Sequence, residues 1–384
     1  MRIPVTIFAV LFAFQANAQT ENKITVAGRA WGSVESVSAR TITNAANVNQ
    51  RFRVANDSSF VRVRGDMKVT ADLSAFGQIE SQFALDGTGG PFDAGRNTGV
   101  GLASKAFGTL TIGRWDSPYK LALIRLDPWG NTTIQNYAAI MGQMSQGGNR
   151  YDARLGNTIQ YWSPAISGLQ VKAALMTNED KSVGSTPAGI NPHVFSLSVT
   201  WEGPLYVGVA YETRKDCGAA GGGAAPICTG AMLGTHGRDW GLRAGAGFNN
   251  KPTRTNIGVI YEHLEASADF AAAPQKRNLK RDAFYGSVVQ GLMGGAHEVV
   301  VAGGVANKAS GNFLTAPAGG TNSKTGAVYW NVAYRYNFNK DLMAHLGFVQ
   351  VKNDDNAAYA GSGFTAAGTG PTYNALVLGT RYLF

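Results

Sequence analysis

The sequence lacks any long apolar run. Apart from the segment Val5 to Phe14, no stretch approaches the roughly 18 uncharged apolar residues that a transmembrane helix requires, and that segment is itself too short. Charged residues are also scarce, at 15% of the chain. Any membrane span must therefore be a β-strand. A chain of 384 residues is long enough for two soluble domains or for one large β architecture.

The N-terminal residues 1–18 have the pattern of a secretory signal peptide. Arg2 supplies a positive charge, Val5 to Phe14 form the apolar stretch, and Ala16-Asn17-Ala18 is a small-residue cleavage site. We therefore predict an exported protein whose mature domain covers residues 19–384. At the other end, Phe384 closes an amphipathic strand, which is typical of barrels that are delivered to the outer-membrane assembly machinery.

Cysteine is limited to two residues, Cys217 and Cys228, in a stretch rich in glycine and alanine. In an oxidising compartment the two are predicted to form a disulfide that holds a surface loop, and the alternative is a pair of free thiols. Neither cysteine has the neighbouring His or Cys spacing of a metal site, so no cofactor is predicted.

What the sequence has in abundance is glycine, with 49 residues, and aromatics, at 10%, while the mean hydropathy is only −0.10. A wall with one face in lipid and the other in water has these properties, because alternation cancels in any average. The formal charge is +9, but Lys and Arg are scattered along the chain rather than clustered. That distribution fits a lumen lining better than a nucleic-acid partner.

Period-two alternation predicts about sixteen strands, joined alternately by short and long connections. The short ones are near residues 66–68, 106–108, 165–167, 202–204, 249–251, 293–295 and 337–340. The long ones are near residues 37–57, 85–95, 116–153, 177–192, 214–237, 265–280, 306–325 and 353–373. Seven short and eight long connections put both ends on the short-turn side, as in a sixteen-stranded antiparallel transmembrane β-barrel with short periplasmic turns and long external loops.

Parity assigns each side chain to one face of its strand. Around Val328 the outward set is Val328, Trp330, Val332, Tyr334 and Tyr336, and the inward set is Tyr329, Asn331, Ala333 and Arg335. Other charged residues that parity points inward are Arg29, Lys172, Arg243, Arg381, Glu80, Glu212 and Glu262. A soluble sandwich alternates as well, but sixteen strands enclose a lumen too wide for side chains to fill. The prediction is an aqueous pore.

The most specific block is residues 58–119. It contains Val63-Arg64-Gly65, the run AFGQIESQF at 75–83, Gly95-Arg96, and FGTLTIGR at 107–114. Together with the terminal strand, this block resembles the general diffusion porins of Gram-negative bacteria, of the trimeric neisserial and burkholderial type. The resemblance implies a homotrimer in the outer membrane, in contact with its lipid, that lets small hydrophilic solutes and ions diffuse passively, without a cofactor.

The resemblance also implies a third loop, residues 116–153, that folds into the pore and presents a carboxylate to basic residues on the facing wall. Phe60 stands where family members usually carry the first arginine. Because the loop itself carries Lys120, Arg125 and Arg150, we predict weak anion preference. The predicted constriction residues are Asp127, Asp116, Arg96, Arg154, Arg62, Arg64, Arg114 and Glu80.

Two other functions make different demands on the sequence. A barrel hydrolase needs a nucleophile, a base and an orienting partner, whereas the five histidines are dispersed and none lies in a catalytic motif. A substrate-specific channel would line its path with aromatics, to which Trp31, Trp129 and Trp162 could contribute. No run of aromatics tracks along the lumen in the sequence, so the general channel is preferred and the specific channel stays the alternative.

Overall fold

The computed structural model describes residues 22–41, 48–87, 95–130, 132–144, 151–177, 191–217, 235–270, 276–311, 323–360, 364 and 369–384. The predicted signal peptide, 1–18, and Cys228 lie outside these residues and stay predictions. Within the described part, no helix is long and apolar enough to cross a bilayer.

The described residues form one antiparallel sheet of eighteen strand segments. Their bounds are β1 Asn22–Arg40, β2 Val48–Asn56, β3 Phe60–Lys68, β4 Leu73–Gln82, β5 Thr98–Ser104, β6 Gly108–Asp116, β7 Arg154–Trp162, β8 Leu169–Met176, β9 His193–Glu202, β10 Leu205–Lys215, β11 Thr235–Asn250, β12 Thr255–Phe270, β13 Lys276–Leu292, β14 His297–Ala306, β15 Ser310–Gly311, β16 Ala327–Asn337, β17 Leu342–Asn353 and β18 Thr372–Leu383.

The sheet closes on itself because β1 pairs with β18 over the register Arg29↔Leu383 to Arg40↔Thr372. Segments β2 and β3 pair with the two halves of β1, so they are one barrel strand interrupted at residues 57–59, where Ser58 has a φ of 63°. Segment β15 continues β14 along β13. The described segments therefore make a closed barrel of sixteen strands, which confirms the predicted fold.

The two faces of the wall are reversed relative to a soluble protein. Outward Val328 and Trp330 are 50% and 39% exposed, whereas inward Tyr329 and Asn331 are 1% and 0% exposed. Charged residues such as Glu262 lie inside the barrel and are fully buried. An apolar exterior around a polar interior is what a lipid bilayer requires of a barrel, so exposure separates the barrel from the sandwich where alternation could not.

Some predicted connections are wrong in position. The turn expected at 66–68 lies at 69–72, since β3 continues to Lys68. The stretch 265–280, predicted as a loop because it is polar, is mostly the end of β12 and the start of β13, with the register Ala266↔Leu279. Polar residues stay in the sheet there because the neighbouring strand satisfies their backbone hydrogen bonds whether or not lipid faces them.

Candidate functional site

In the connection between β6 and β7, the described residues 117–130, 132–144 and 151–153 form a compact folded loop. It opens with helix α1, Pro118–Leu123, followed by short 3₁₀ turns at Ile124–Leu126 and Tyr137–Ala139. The Ser117 hydroxyl accepts a hydrogen bond of 3.2 Å from the Lys120 N–H, and Pro118 occupies the first helical turn, where its missing N–H has no cost. The loop is therefore given a fixed entry direction by its own sequence.

The loop packs against the inner wall at inward-facing glycines. A Cβ at Gly247 would lie 2.4 Å from the Leu126 side chain, and one at Gly258 would lie 2.9 Å from the Leu126 carbonyl oxygen. Further glycines of this group, defined here as the glycine bed, face Leu123, Tyr119, Tyr151 or Ile140: they are Gly208, Gly241, Gly245 and Gly304. The absence of side chains at these positions gives the loop room to lie on the wall.

We expect Gly258→Val to displace the loop. Its side chain would overlap Leu126 on one side and the Ser287 hydroxyl, 3.1 Å from the position of Cβ, on the other. The expected result is a channel that still folds but shows larger current fluctuations in planar bilayers. Gly286→Val is the matched control, because only the Gly258 carbonyl oxygen lies within 4 Å of a Cβ there, at 3.8 Å. Equal noise in the two variants would contradict the packing role.

Both halves of the loop are joined to β11, β12 and β13 by a buried ionic network. Arg243 is ion-paired with Asp152 at 2.7 Å and with Glu262, and Arg281 lies 3.0 Å from Glu262. All four side chains are 0% exposed. We call this group the loop latch; its residues are Asp152, Arg243, Glu262 and Arg281.

Tyrosines and a backbone amide of the loop complete the latch. Tyr119 donates to Glu262 at 3.1 Å, the Gly142 N–H donates to Glu262 at 2.7 Å, and Tyr137 donates to Asp152 at 2.9 Å. Burial, with Glu262 nearby, holds the pKa of Tyr119 well above its ordinary value, and burial beside Asp152 does the same for Tyr137. Both phenols therefore stay protonated and act as hydrogen-bond donors.

On another part of the wall, the structure brings together Arg62, Glu80 and Arg96 from the predicted set. Glu80 accepts from Arg96 at 2.6 Å and lies 3.7 Å from Arg62. Arg96 and Arg62 also lie over the ring of Phe60, with guanidinium carbons 4.6 Å and 5.7 Å from its centre. One carboxylate here faces two guanidinium groups, so the cluster has excess positive charge.

A second cluster surrounds Asp116, at the end of β6. Its carboxylate lies 2.8 Å from Lys120 and 3.3 Å from Arg154, and it accepts a hydrogen bond of 2.9 Å from Asn97. Burial lowers the pKa of Lys120, and the adjacent Asp116 opposes that shift. Again two cations share one carboxylate. Asp116 therefore lies beside Arg154, another residue of the predicted set.

Asp127, the predicted constriction carboxylate, is 4% exposed. It accepts a hydrogen bond of 3.1 Å from Tyr285 and one of 3.3 Å from the Trp129 N–H. The loop tip beyond it reaches the far wall, where Arg335 donates to the Pro128 carbonyl oxygen at 2.9 Å. The charge of Asp127 therefore acts from within the packed loop, and its part in a constriction stays a prediction.

Two predicted residues have other partners. Arg64 pairs with Asp66 at 2.9 Å and covers the ring of Phe76 at 4.0 Å, next to the short turn at 69–72. Arg114 donates to the Gly95 carbonyl oxygen at 2.9 Å. Asp152 was not predicted as a site residue from the sequence. Its ion-pair partner Arg243, and Glu262, which pairs with the same arginine, were both predicted to face inward by parity.

A closed barrel with an apolar exterior, a charged interior and a loop packed inside it defines a transmembrane channel. The family model of the Gram-negative porins matches residues 5–356. The chain belongs to that family and is an outer-membrane porin.

Solved structures share its fold. The anion-selective porin from Comamonas acidovorans is 18% identical, covers 95% of this chain and 100% of its own, and has a TM-score of 0.74. OmpT of Vibrio cholerae, in its trimer form, is 14% identical over 94% of this chain and 99% of its own, with a TM-score of 0.65. OmpF of Salmonella typhi is 15% identical over 94% of this chain and 98% of its own, with a TM-score of 0.58. No curated protein matches the chain.

Proposed function

We propose that this porin is a non-enzymatic general diffusion channel with weak anion preference, narrowed by the loop 117–153. The observation that carries the proposal is the unequal pairing in the two clusters, in which Glu80 faces Arg62 and Arg96, and Asp116 faces Lys120 and Arg154. Excess positive charge in a narrow aqueous path raises the local concentration of anions and repels cations. The anion-selective Comamonas porin has the same fold.

The test is the reversal potential of the refolded protein in a planar bilayer with a potassium chloride gradient. The double variant Arg96→Ala with Arg154→Ala should lower the chloride-to-potassium permeability ratio by roughly sixteenfold. A unit charge about 10 Å from an ion in water contributes about 0.4 kcal/mol, which changes the local concentrations of chloride and of potassium by about twofold each, in opposite directions, and therefore the ratio by about fourfold for each arginine. The single variant Arg64→Ala, outside both clusters, should change the ratio little.

A ratio that stays the same in the double variant would overturn the proposed anion preference while leaving the channel itself intact. The effect should also weaken at 1 M salt, where the screening length is about 3 Å. Current block by one solute at low concentration would favour the alternative, a substrate-specific channel.

We further propose that the assembled unit is a homotrimer, in the bilayer lipid of the outer membrane. The support is the trimer form of the Vibrio cholerae structure and the row of apolar side chains on the outer face of this barrel. Channels that close in three equal conductance steps would support the homotrimer. A single closing step, together with a monomer mass by light scattering, would refute it.

A disulfide between Cys217 and Cys228 remains part of the proposal. Cys217 follows β10 at the long-loop end and is 7% exposed. Alkylation of the unfolded, unreduced protein should add no mass, whereas alkylation after reduction should add two groups. Alkylation without reduction would show free thiols instead.

A further inference from the structure

Phe60 lies at the centre of the basic wall and faces the lumen, where a cation is expected from the resemblance. Three guanidinium groups surround its ring: the carbon of Arg96 lies 4.6 Å from the ring centre, that of Arg29 5.2 Å and that of Arg62 5.7 Å. All three distances are within the range of cation–π attraction. The three arginines lie on two different strands and on one connection, and all three contact the same ring.

The register explains why this ring meets these arginines. Arg29 on β1 is the pairing partner of Phe60 on β3, and Arg62 is two residues further along β3, on the same face. Arg96 reaches the ring from the connection before β5. The Phe60 ring therefore contacts one arginine on its own strand, one on the neighbouring strand β1, and one from the connection on its other side.

Trp31 extends the same arrangement. The guanidinium carbons of Arg29 and Arg381 lie 5.4 Å and 5.5 Å from its ring, and its own strand pairs Trp31 with Arg381. The indole N–H donates to His345 Nε2 at 3.1 Å, which holds the ring in place. Among the described residues, no carboxylate forms an ion pair with Arg29 or Arg381, and the nearby Glu80 and Glu298 are paired with Arg96 and Arg335.

An aromatic ring and a carboxylate hold a guanidinium group in different ways. A carboxylate cancels most of its charge, whereas a ring face attracts it through its quadrupole and leaves the net charge unchanged. The Nε atoms of Arg29 and Arg381 are buried and have no hydrogen-bond partner in the described part of the chain. These two cations are thus held without a carboxylate at ion-pair distance, and Arg29 also donates a hydrogen bond of 2.9 Å to the Ser58 carbonyl oxygen.

We infer that Phe60, supported by Trp31, is the positioning residue for anion selectivity in this pore. Its ring keeps Arg29, Arg62 and Arg96 apart on the lumen wall, so that Glu80 cannot be shared by all three. The inference rests on the proposed anion preference and names the residue that sustains it. An uncharged side chain at position 60 thereby controls selectivity without adding a charge.

The test measures reversal potential and conductance for Phe60→Leu and Phe60→Tyr in planar bilayers. Without the ring, Arg29 can join Arg62 and Arg96 at Glu80, and the withdrawal of its charge from the lumen toward that carboxylate should lower the chloride-to-potassium permeability ratio by about twofold. Single-channel conductance should change much less, because the number of charges and the loop are unaltered. Phe60→Tyr keeps the aromatic ring face, so this variant should have the same permeability ratio as the parent protein.

The matched control is Phe76→Leu. Phe76 also faces inward and carries a guanidinium group, that of Arg64, at 4.0 Å, but it lies next to the short turn at 69–72, outside the basic cluster. Its replacement should leave the permeability ratio unchanged. If the parent protein is anion-selective and Phe60→Leu has the same ratio, the inference is overturned and the proposed function stands. If the parent protein shows no anion preference, the proposed anion preference is wrong, and the inference about Phe60 fails with it.

A purely structural role is separated by the same data. Loss of packing at position 60 would change conductance and current noise together with selectivity, and Phe60→Tyr would then correct all of them. If Phe60→Leu changes only the permeability ratio and Phe60→Tyr keeps the parent ratio, the positioning role is supported. If Phe60→Leu changes only the conductance, the positioning role is overturned.

Discussion

Arg243→Met is expected to release the loop from the wall and to lower the stability of the barrel. The substitution removes one of the two cations of the loop latch and leaves Asp152 and Glu262, both 0% exposed, facing an apolar side chain. Removing one partner of a buried ion pair typically costs about 3–5 kcal/mol, because the remaining charge is uncompensated. Arg281 still lies 3.0 Å from Glu262, so Asp152 bears most of the loss.

Two measurements follow from this substitution. The temperature at which the folded barrel loses its fast electrophoretic mobility should fall, and the single-channel conductance should rise or become unsteady as the loop leaves the wall. Arg125→Gln is the matched control, since Arg125 lies on the same loop and pairs with Glu202 at 2.9 Å, but the pair is exposed. Exposed pairs contribute roughly 0–1 kcal/mol, so this variant should resemble the parent protein.

If Arg243→Met and Arg125→Gln have the same melting behaviour and the same steady conductance, the latch does not hold the loop. The double change Arg243→Met with Asp152→Asn gives a further check. It removes both charges of the Arg243–Asp152 pair and leaves Glu262 paired with Arg281 at 3.0 Å, so it should recover part of the lost stability even though the loop remains less firmly held.

Much of the wall could be predicted from the sequence because strand alternation is a local property. The inward direction of Arg29, Arg243 and Glu262 follows from counting along one strand, and the pairing of each strand with the next follows from alternate short and long connections. Exposure confirms the predicted inward set around Val328 and the outward set from Val328 to Tyr334, whereas Tyr336 near the strand end is half-buried. No long-range information was needed for these positions.

The interior arrangement could not be predicted in the same way. Arg243 and Asp152 are 91 residues apart, and nothing in the chain between them indicates that the end of the loop returns to β11. The ring centres of Trp31 and Trp129 lie 6.4 Å apart, although no aromatic run in the sequence joins these two positions. Such contacts depend on where the loop lies after the barrel has closed, which is a tertiary property.

The glycine bed lies between these two cases. The parity that directs Glu212 and Arg243 inward also directs Gly208, Gly241 and Gly245 inward, and a wall with many inward glycines on neighbouring strands has space for a loop to pack on it. That pattern was a usable signal for the side of the barrel on which the loop rests. The reason it was not decisive is that glycine is also abundant elsewhere in the chain, with 49 residues in all.

Val301→Arg should strongly disfavour the folded barrel, although Val301 is 48% exposed. Its outward neighbours across the sheet are Val288 and Val332, and the row continues to Phe348 and Leu376. If lipid covers this row, an arginine at mid-strand costs about 2–4 kcal/mol, whereas on a water-exposed surface it would cost close to nothing.

The measurement is the free energy of unfolding by denaturant in lipid vesicles, compared with Met293→Arg. Met293 is the matched control because it is also an exposed apolar residue, at 83%, but lies in the short turn between β13 and β14. An arginine there remains in water and should change stability little. A similar small effect at both sites would mean that the exposed apolar row does not face lipid, and the orientation of the wall would have to be reversed; a loss confined to Val301→Arg places that row in the bilayer.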